Sequence, residues 1–378
     1  MSEQTPPPEQ EPGNGMSKKQ FRAAMLMIIV IGLAWSGFNQ FWAPESKRDS
    51  VPASDAAATA VKAVAVHREY RCYPIMGTVA EVSLYGDPEL TGKAADTVYD
   101  TFREIETVGN IYDAKSELSQ LNRTAARQPF VCSELLWQML TESRRAWKLS
   151  GGAFDVTARP LMVMWGFYVK SQQRLPDAAA RNRALAVVGM DKVIFNDRDH
   201  TVKFTRDGMS IDLGGIAKGF AVDLAVVRIR KMGIACGVVN LAGNMYCFPQ
   251  PPPGKNNYTI GIRDPLDKDK SCGTIVCRNI SVATSGNYER YVVIGGKQYT
   301  HIMNVKTGMT VQNMLAVSVV TPRATDADWL STAIFINGEA FGRRISRDIP
   351  GTSALLIRPG RRLPEVIRIG DIWGEIKL

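Results

Sequence analysis

Histidine is almost missing from this chain: among 378 residues there are three, His67, His200 and His301. That scarcity excludes imidazole-rich metal centres and leaves few candidates for a general base near neutral pH. Zinc-type spacing is missing as well. The six cysteines, Cys72, Cys132, Cys236, Cys247, Cys272 and Cys277, form neither a CxxC nor a Cys/His pattern. The net charge is +9, yet no Lys/Arg block dominates and no basic run is interleaved with aromatics. The footprint of a nucleic-acid binder is therefore lacking. The excess positive charge reads as solvated surface, part of it serving an anionic ligand. There is no internal repeat.

With 45% hydrophobic and 22% charged residues, the chain has apolar side chain enough for a large globular core. Residues 1–20, rich in Pro, Glu and Gly, are expected to be disordered. Residues 23–38 carry no charge, and Trp35, Phe41 and Trp42 crowd the far end like an interfacial aromatic belt. Counted over 21–43, the run approaches the roughly 20 residues that span a bilayer, so a transmembrane signal anchor is expected there. Lys18, Lys19 and Arg22 favour a cytoplasmic N-terminus. The remainder would then lie in a periplasm, tethered to the inner membrane. A cleaved signal peptide is the competing reading, although Ala43 is followed by Pro44 and no cysteine follows for lipid attachment. Exported cysteines would meet oxidising conditions, with Cys236/Cys247 and Cys272/Cys277 as local pairs or all six simply buried.

Residues 44–66, rich in Ala, Ser and Pro, read as a linker, and a compact region runs over 67–378. Its opening is strand-like. Helices are expected over 91–108, 133–149 and 217–231, the second closed by Ser150-Gly151-Gly152. Residues 184–206 suggest short strands, and YERYVVIGGKQYTHIMN is a hairpin turning at Gly295-Gly296. Strands in runs, mixed with helices and without a βαβ period, give the α+β class.

The stretch SIDLGGIAKGFAVD at 210–223 reads as a short buried strand, a Gly-Gly turn and a helix. Unpaired N–H groups and the positive end of the helix dipole favour an anion at such a helix start. Asp212 aims into the same space and Lys218 adds a movable positive charge, a set that suits phosphate with a divalent metal. The spacing is neither GxGxxG nor GxxxxGK[ST], and a turn that merely packs tightly is the alternative. Thr325-x-x-Asp328 has capping-box spacing and would put Asp328 in the first turn of a helix, with Thr332 one turn on along the same face. Two such oxygens suit Mg²⁺, which takes few protein ligands; a capping aspartate beside a buried Thr is the alternative. In SGGAFDVTARP, Asp155 and Thr157 are displayed on a turn. His301 is the best base candidate, or else a hydrogen-bonded core residue of a strand.

In order along the chain, these segments resemble the ApbE-type family, the FAD:protein FMN transferases. The resemblance is carried by MGT at 76–78, YDAKSELSQLN at 112–122, GGAFDVTARPLMVMWGF at 151–167, IDLGGIAKGFAVD, VVNLAGN at 238–244, IGIRDP, SVATSGNYERY, THIMNVKTG and ATDADWLSTAIF. It implies mixed sheets with packed helices and an FAD site in a cleft between two subdomains. It also implies Mg²⁺-dependent transfer of FMN from FAD onto a Thr or Ser hydroxyl of another protein, releasing AMP. By position, FAD contacts fall on Met76, Tyr112, Ala153, Phe154, Asp155, Asp212, Lys218 and Ile302. The metal falls on the Gly215 carbonyl, Asp328 and Thr332, with Ser331 where some members carry a second aspartate; His301 matches the family's suspected base. Asn304 and Val305 stand where Asp-Pro is common, and Lys218 where other members are acidic. The acceptor signature DGx[ST]GAT is lacking here, so the target is another protein, by family analogy a membrane electron-transfer subunit. An FAD pyrophosphatase and a non-catalytic flavin-binding protein are the competing functions.

Overall fold

The computed structural model describes residues 66–168, 174–267 and 269–378. The expected disordered start, membrane anchor and nearly all of the linker lie outside the described residues. Among those described, no helix is long and apolar enough to cross a membrane. All of them fall in one compact unit, Val64–Leu378.

The chain enters through an antiparallel hairpin, β1 (His67–Ile75) and β2 (Thr78–Gly86), and passes into α1 (Pro88–Gly109) and α2 (Glu117–Thr124). A short strand β3 (Phe130–Val131), α3 (Glu134–Leu149), α4 (Arg159–Met164) and α5 (Ala178–Ala186) lead to the hairpin of β4 (Val193–Asn196) and β5 (Thr201–Phe204). Next come α6 (Ala217–Lys231), β6 (Gly237–Leu241), β7 (Asn244–Cys247), β8 (Tyr258–Arg263), β9 (Ser271–Cys277) and β10 (Ile280–Gly286). The hairpin of β11 (Tyr291–Ile294) and β12 (Lys297–Thr300) precedes the small pair β13 (Met303–Asn304) and β14 (Met309–Thr310). The chain ends in β15 (Ala316–Thr321), α7 (Ala324–Asp348, broken at Gly338), β16 (Ser353–Arg358), β17 (Glu365–Ile369) and β18 (Trp373–Ile376).

The main sheet has eight strands in the order β1-β2-β6-β7-β10-β15-β16-β17, with every neighbouring pair antiparallel. Its central strands are covered on both faces, so they read as continuous apolar runs. In β15, Val317 and Val319 join the cluster under α1, α6 and α7, while Ala316 and Val320 join one built with the three-stranded sheet β18-β9-β8. In β16, Ala354 and Leu356 divide from Leu355 and Ile357 in the same way. This is the period-2 alternation of a strand, hidden because neither face meets water. A third cluster packs Leu161 and Trp165 against Val292 and Ile294, seating the β11–β12 hairpin on the α4 region.

The expected helices and hairpin are present: α6 spans 217–231, and Gly295 and Gly296 turn the hairpin with φ of 58° and 76°. Two local expectations are corrected. Residues 210–213 join no sheet. The Asn122 side chain stands in for a neighbouring strand, receiving the Ile211 N–H at 2.7 Å and donating to the Ile211 carbonyl at 2.9 Å. Thr325 is not the cap of α7, which starts at Ala324 after Arg323, so Asp328 lies beyond its first turn.

Candidate active site

The N-terminal ends of α6 and α7 meet at one point, and each helix supplies an acceptor for the other. Asp223 of α6 receives the Ala324 N–H at 2.7 Å, the Thr325 N–H at 2.9 Å and the Thr325 hydroxyl at 2.6 Å. Asp328 of α7 receives the Gly219 N–H at 3.0 Å. Both contacts satisfy N–H groups that a helix start leaves unpaired. Glycine at 219 is required by the crossing, because a Cβ there would lie 2.3 Å from the Ala324 carbonyl oxygen. Burial pushes the Asp223 carboxyl up, against the pull of its three hydrogen bonds with Thr325 and Ala324. Asp223 stands at the end of the SIDLGGIAKGFAVD motif, but its role depends on a helix a hundred residues away in sequence. A second buried acid, Asp326, holds the same end of α7 through Arg145 and through Trp329 Nε1 at 2.9 Å.

Beside this crossing, the turn at 212–216 and the first turn of α6 bring Asp212 and Lys218 to it. Lys218 donates to the Gly214 carbonyl at 2.7 Å, and its Nζ lies 3.5 Å from Asp328. Asp212 accepts from the Gly214 N–H at 2.8 Å and from the Tyr168 hydroxyl at 2.5 Å. The Tyr168 ring meets Tyr112 edge-on at 6.1 Å between centroids, which links Tyr112 to the same group. Burial, reinforced by the Asp212 charge, pushes the Tyr168 phenol far up, so it stays a donor. No spacing rule pointed to Tyr168. Phe154 packs beneath the turn, where a Cβ on Gly215 would approach its ring to 3.1 Å.

His301 follows β12 directly. The Arg290 carbonyl accepts from its backbone N–H at 3.0 Å and lies 3.0 Å from its Nδ1. A carbonyl only accepts, so Nδ1 carries the proton and Nε2 presents the free lone pair. Burial pulls the imidazole down to about 4; the hydrogen bond to the Arg290 carbonyl and, more weakly, the Asp212 charge oppose this, while the positive charges of Arg290 and Lys218 add to it. Lys218, Asp212 and His301 thus feel one another across one site.

Other expected residues are engaged elsewhere. Met76 occupies the β1–β2 turn with φ of 52° and donates its N–H to Glu106 at 2.9 Å. Asp155 is buried and uses both oxygens internally, toward Thr157 (2.8 and 2.6 Å) and the Met190 N–H (3.0 Å). Burial raises its carboxyl despite those bonds. Ala153 and Ile302 are buried. Ser331 is closed off by neighbours: its hydroxyl donates to the Asp328 carbonyl at 2.8 Å and pairs with Ser285 at 2.8 Å. Ser285 also lies 3.3 Å from the Thr332 hydroxyl, a contact that only the fold creates.

Among the described residues no group of three or more His, Cys, Asp or Glu gathers to hold a metal on its own. A hard divalent cation nevertheless fits. Asp328 and Thr332 offer hard oxygens, and the Lys218 ammonium already stands beside the Asp328 carboxylate as a positive charge would. One carboxylate with hydroxyl or carbonyl support is the donor set of a Mg²⁺ completed by phosphate and water. Two adjoining cavities of about 300 and 310 Å³ flank the hairpin that precedes His301, and both are lined by Pro265, Leu266, Tyr288 and Gln298.

Known proteins share this fold. The ApbE family pattern matches residues 76–356. The FAD:protein FMN transferase of Treponema pallidum is 31% identical over 315 residues, covering 78% of this chain and 86% of that protein. The Klebsiella pneumoniae protein of the same name is 28% identical, covering 76% and 88% respectively. Among solved structures, the ApbE protein of Thermotoga maritima superposes with a TM-score of 0.73 at 27% identity, over 80% of this chain and 97% of that one. The Vibrio cholerae flavin transferase ApbE shares the fold with a TM-score of 0.72 at 24% identity, over 81% and 98%. With the family pattern matched across most of its length and a relative 31% identical over 78% of it, this chain belongs to the ApbE family.

Proposed function

We propose that the protein transfers FMN from FAD to a Ser or Thr hydroxyl of a second protein and releases AMP. The observation that carries this reading is the α6–α7 crossing, where the Lys218 ammonium stands 3.5 Å from Asp328 beside the turn held by Asp212. FAD lies in the cleft between that crossing and the β11–β12 hairpin. Its pyrophosphate faces Lys218 and the α6 N-terminus, where the positive end of the helix dipole favours negative charge. Asp212 and Tyr168, hydrogen bonded to each other, set the shape of the wall beside it. His301 Nε2 takes the proton of the acceptor hydroxyl as its oxygen bonds to the FMN phosphorus. The bond from that phosphorus to the bridging oxygen breaks, and AMP leaves with the electron pair. Fixed positive groups near the phosphates are the main contribution a protein makes to such a transfer. Asp328, Thr332 and the Gly215 carbonyl would hold a Mg²⁺, which would supply charge neutralisation to the phosphates.

The acceptor carries a DGx[ST]GAT-type segment and is a membrane electron-transfer subunit. The uncharged stretch at 23–38 supports a tether that keeps the active site on the periplasmic side of the same membrane. The test is to mix the protein with FAD, Mg²⁺ and an acceptor domain bearing that segment, then to weigh the acceptor. A gain of one FMN, abolished by EDTA, is expected. Free FMN and AMP with an unmodified acceptor would make the protein a pyrophosphatase, and intact FAD retained on the protein would make it a carrier.

A further inference from the structure

Cys247 and Cys277 lie far apart in the chain's organisation but touch in the fold. Cys247 is the last residue of β7 in the eight-stranded sheet, and Cys277 is the last residue of β9 in the three-stranded sheet. Their sulfurs are 3.8 Å apart, inside the apolar layer between the two sheets. The backbones beside them are already tied, because the Asn279 N–H donates to the Phe248 carbonyl at 3.2 Å. The other four cysteines face different partners. Cys236 meets the Pro251 carbonyl at 3.3 Å and the Tyr258 hydroxyl at 3.8 Å; Cys272 meets the Arg263 carbonyl at 3.6 Å. Cys132 faces the Phe130 carbonyl at 4.0 Å, and Cys72 is exposed on β1. Neither local pair considered from the sequence is brought together, and all the cysteines but Cys72 are buried, as the other reading expected.

We infer that Cys247 and Cys277 are a disulfide site that joins the two sheets when the protein meets a thiol-oxidising environment. Bonding requires the sulfurs to close from 3.8 Å to about 2.05 Å. Cys277, at 8% exposure against 0% for Cys247, is the thiol an oxidant reaches. Hydrogen bonding between the two sulfurs also holds the Cys277 thiol below its ordinary value. The oxidant is a disulfide, either oxidised glutathione or the disulfide of a thiol oxidase. The Cys277 thiolate attacks one of its sulfurs and expels the first thiol. Cys247 then attacks the Cys277 sulfur and expels the second, so two electrons and two protons pass to the oxidant. The inference is independent of the flavin reaction, since neither cysteine belongs to the site around Asp328.

The purified full chain, equilibrated with oxidised glutathione, is alkylated under denaturing conditions without reductant and mapped by peptide mass. A Cys247–Cys277 cross-linked peptide is expected, with the other four thiols alkylated. Thermal unfolding of the same sample should shift up by roughly 5 °C or more, reversibly with dithiothreitol. The double variant Cys247→Ala/Cys277→Ala should show no such shift. Alkylation of both thiols, a stable glutathione adduct on Cys277 alone, or a cross-link to any other cysteine overturns the inference.

Discussion

His301 holds its Nδ1 proton against the Arg290 carbonyl, and this keeps Nε2 free for a proton. With the imidazole pulled from an ordinary 6.5 to about 4, it is neutral across the physiological range. The transfer rate, measured with FAD saturating, should therefore be flat through neutral pH and fall only as acidity approaches the histidine's own value. The stability sign is the opposite of a salt-bridged histidine. As pH falls through 6.5 the unfolded chain takes up this proton while the folded one refuses it until about 4, so folding weakens over that interval. His301→Gln should lessen the drop in Tm between neutral and acid pH, and an unchanged drop would remove His301 as its source. The same variant should slow transfer by roughly a hundredfold or more, with FAD affinity little changed. At Asp328, Asn keeps an acceptor for the Gly219 N–H but loses the charge. Asp328→Asn should therefore abolish transfer with a small change in Tm, whereas Asp328→Ala should lower both, as activity assays and melting curves would separate.

Two helices cross end to end here because the one residue without a side chain lies at the contact. Gly219→Ala puts a methyl 2.3 Å from the Ala324 carbonyl oxygen and 2.8 Å from the Asp328 Cβ. Backbone cannot yield as a flexible side chain does, so a loss of about 1–3 kcal/mol is expected in urea unfolding, together with loss of transfer. Asp223→Ala leaves the Ala324 and Thr325 N–H groups without their acceptor and should cost about 1–2 kcal/mol, with Asp223→Asn in between. Element boundaries follow the sequence closely where a local signal exists. Ser133 caps α3 through the Leu136 N–H, and Ser150, Gly151 and Gly152 end it. The stretch at 210–213 forms no strand because its backbone bonds run to the Asn122 side chain and the Val156 carbonyl instead of to a sheet.

On the scale of the whole molecule, the site spans two separately packed parts. The helix crossing rests on the main sheet, and the strand pair leading to His301 rests on Leu161 and Trp165, the latter bonded to the Gly308 carbonyl at 2.9 Å. Trp165→Ala should cost about 3–5 kcal/mol if the gap stays open. Its diagnostic effect is local: amide exchange in β11 and β12 should speed up more than in β10 or β15, while transfer falls. Equal loss of protection in the main sheet would contradict a separately seated hairpin. The central strands β15 and β16 belong to this scale as well, since only the presence of layers on both faces explains why they lack a polar face.

What the sequence determined by itself was whatever a short window of residues decides. The Gly-Gly turn and α6, the hairpin at Gly295-Gly296, the Ser150-Gly151-Gly152 stop of α3 and the α+β class were all legible, because turn chemistry and helix periodicity act over a few residues. Tertiary structure alone decided which partners those groups meet. Asp223 became the acceptor for a helix start at Ala324, Asn122 a strand's substitute, Tyr168 the partner of Asp212, Ser285 the partner of Ser331, and Cys277 rather than Cys236 the neighbour of Cys247. Each of these contacts joins residues tens of positions apart or more. Their distance is set by how sheets and helices pack, which no local spacing encodes.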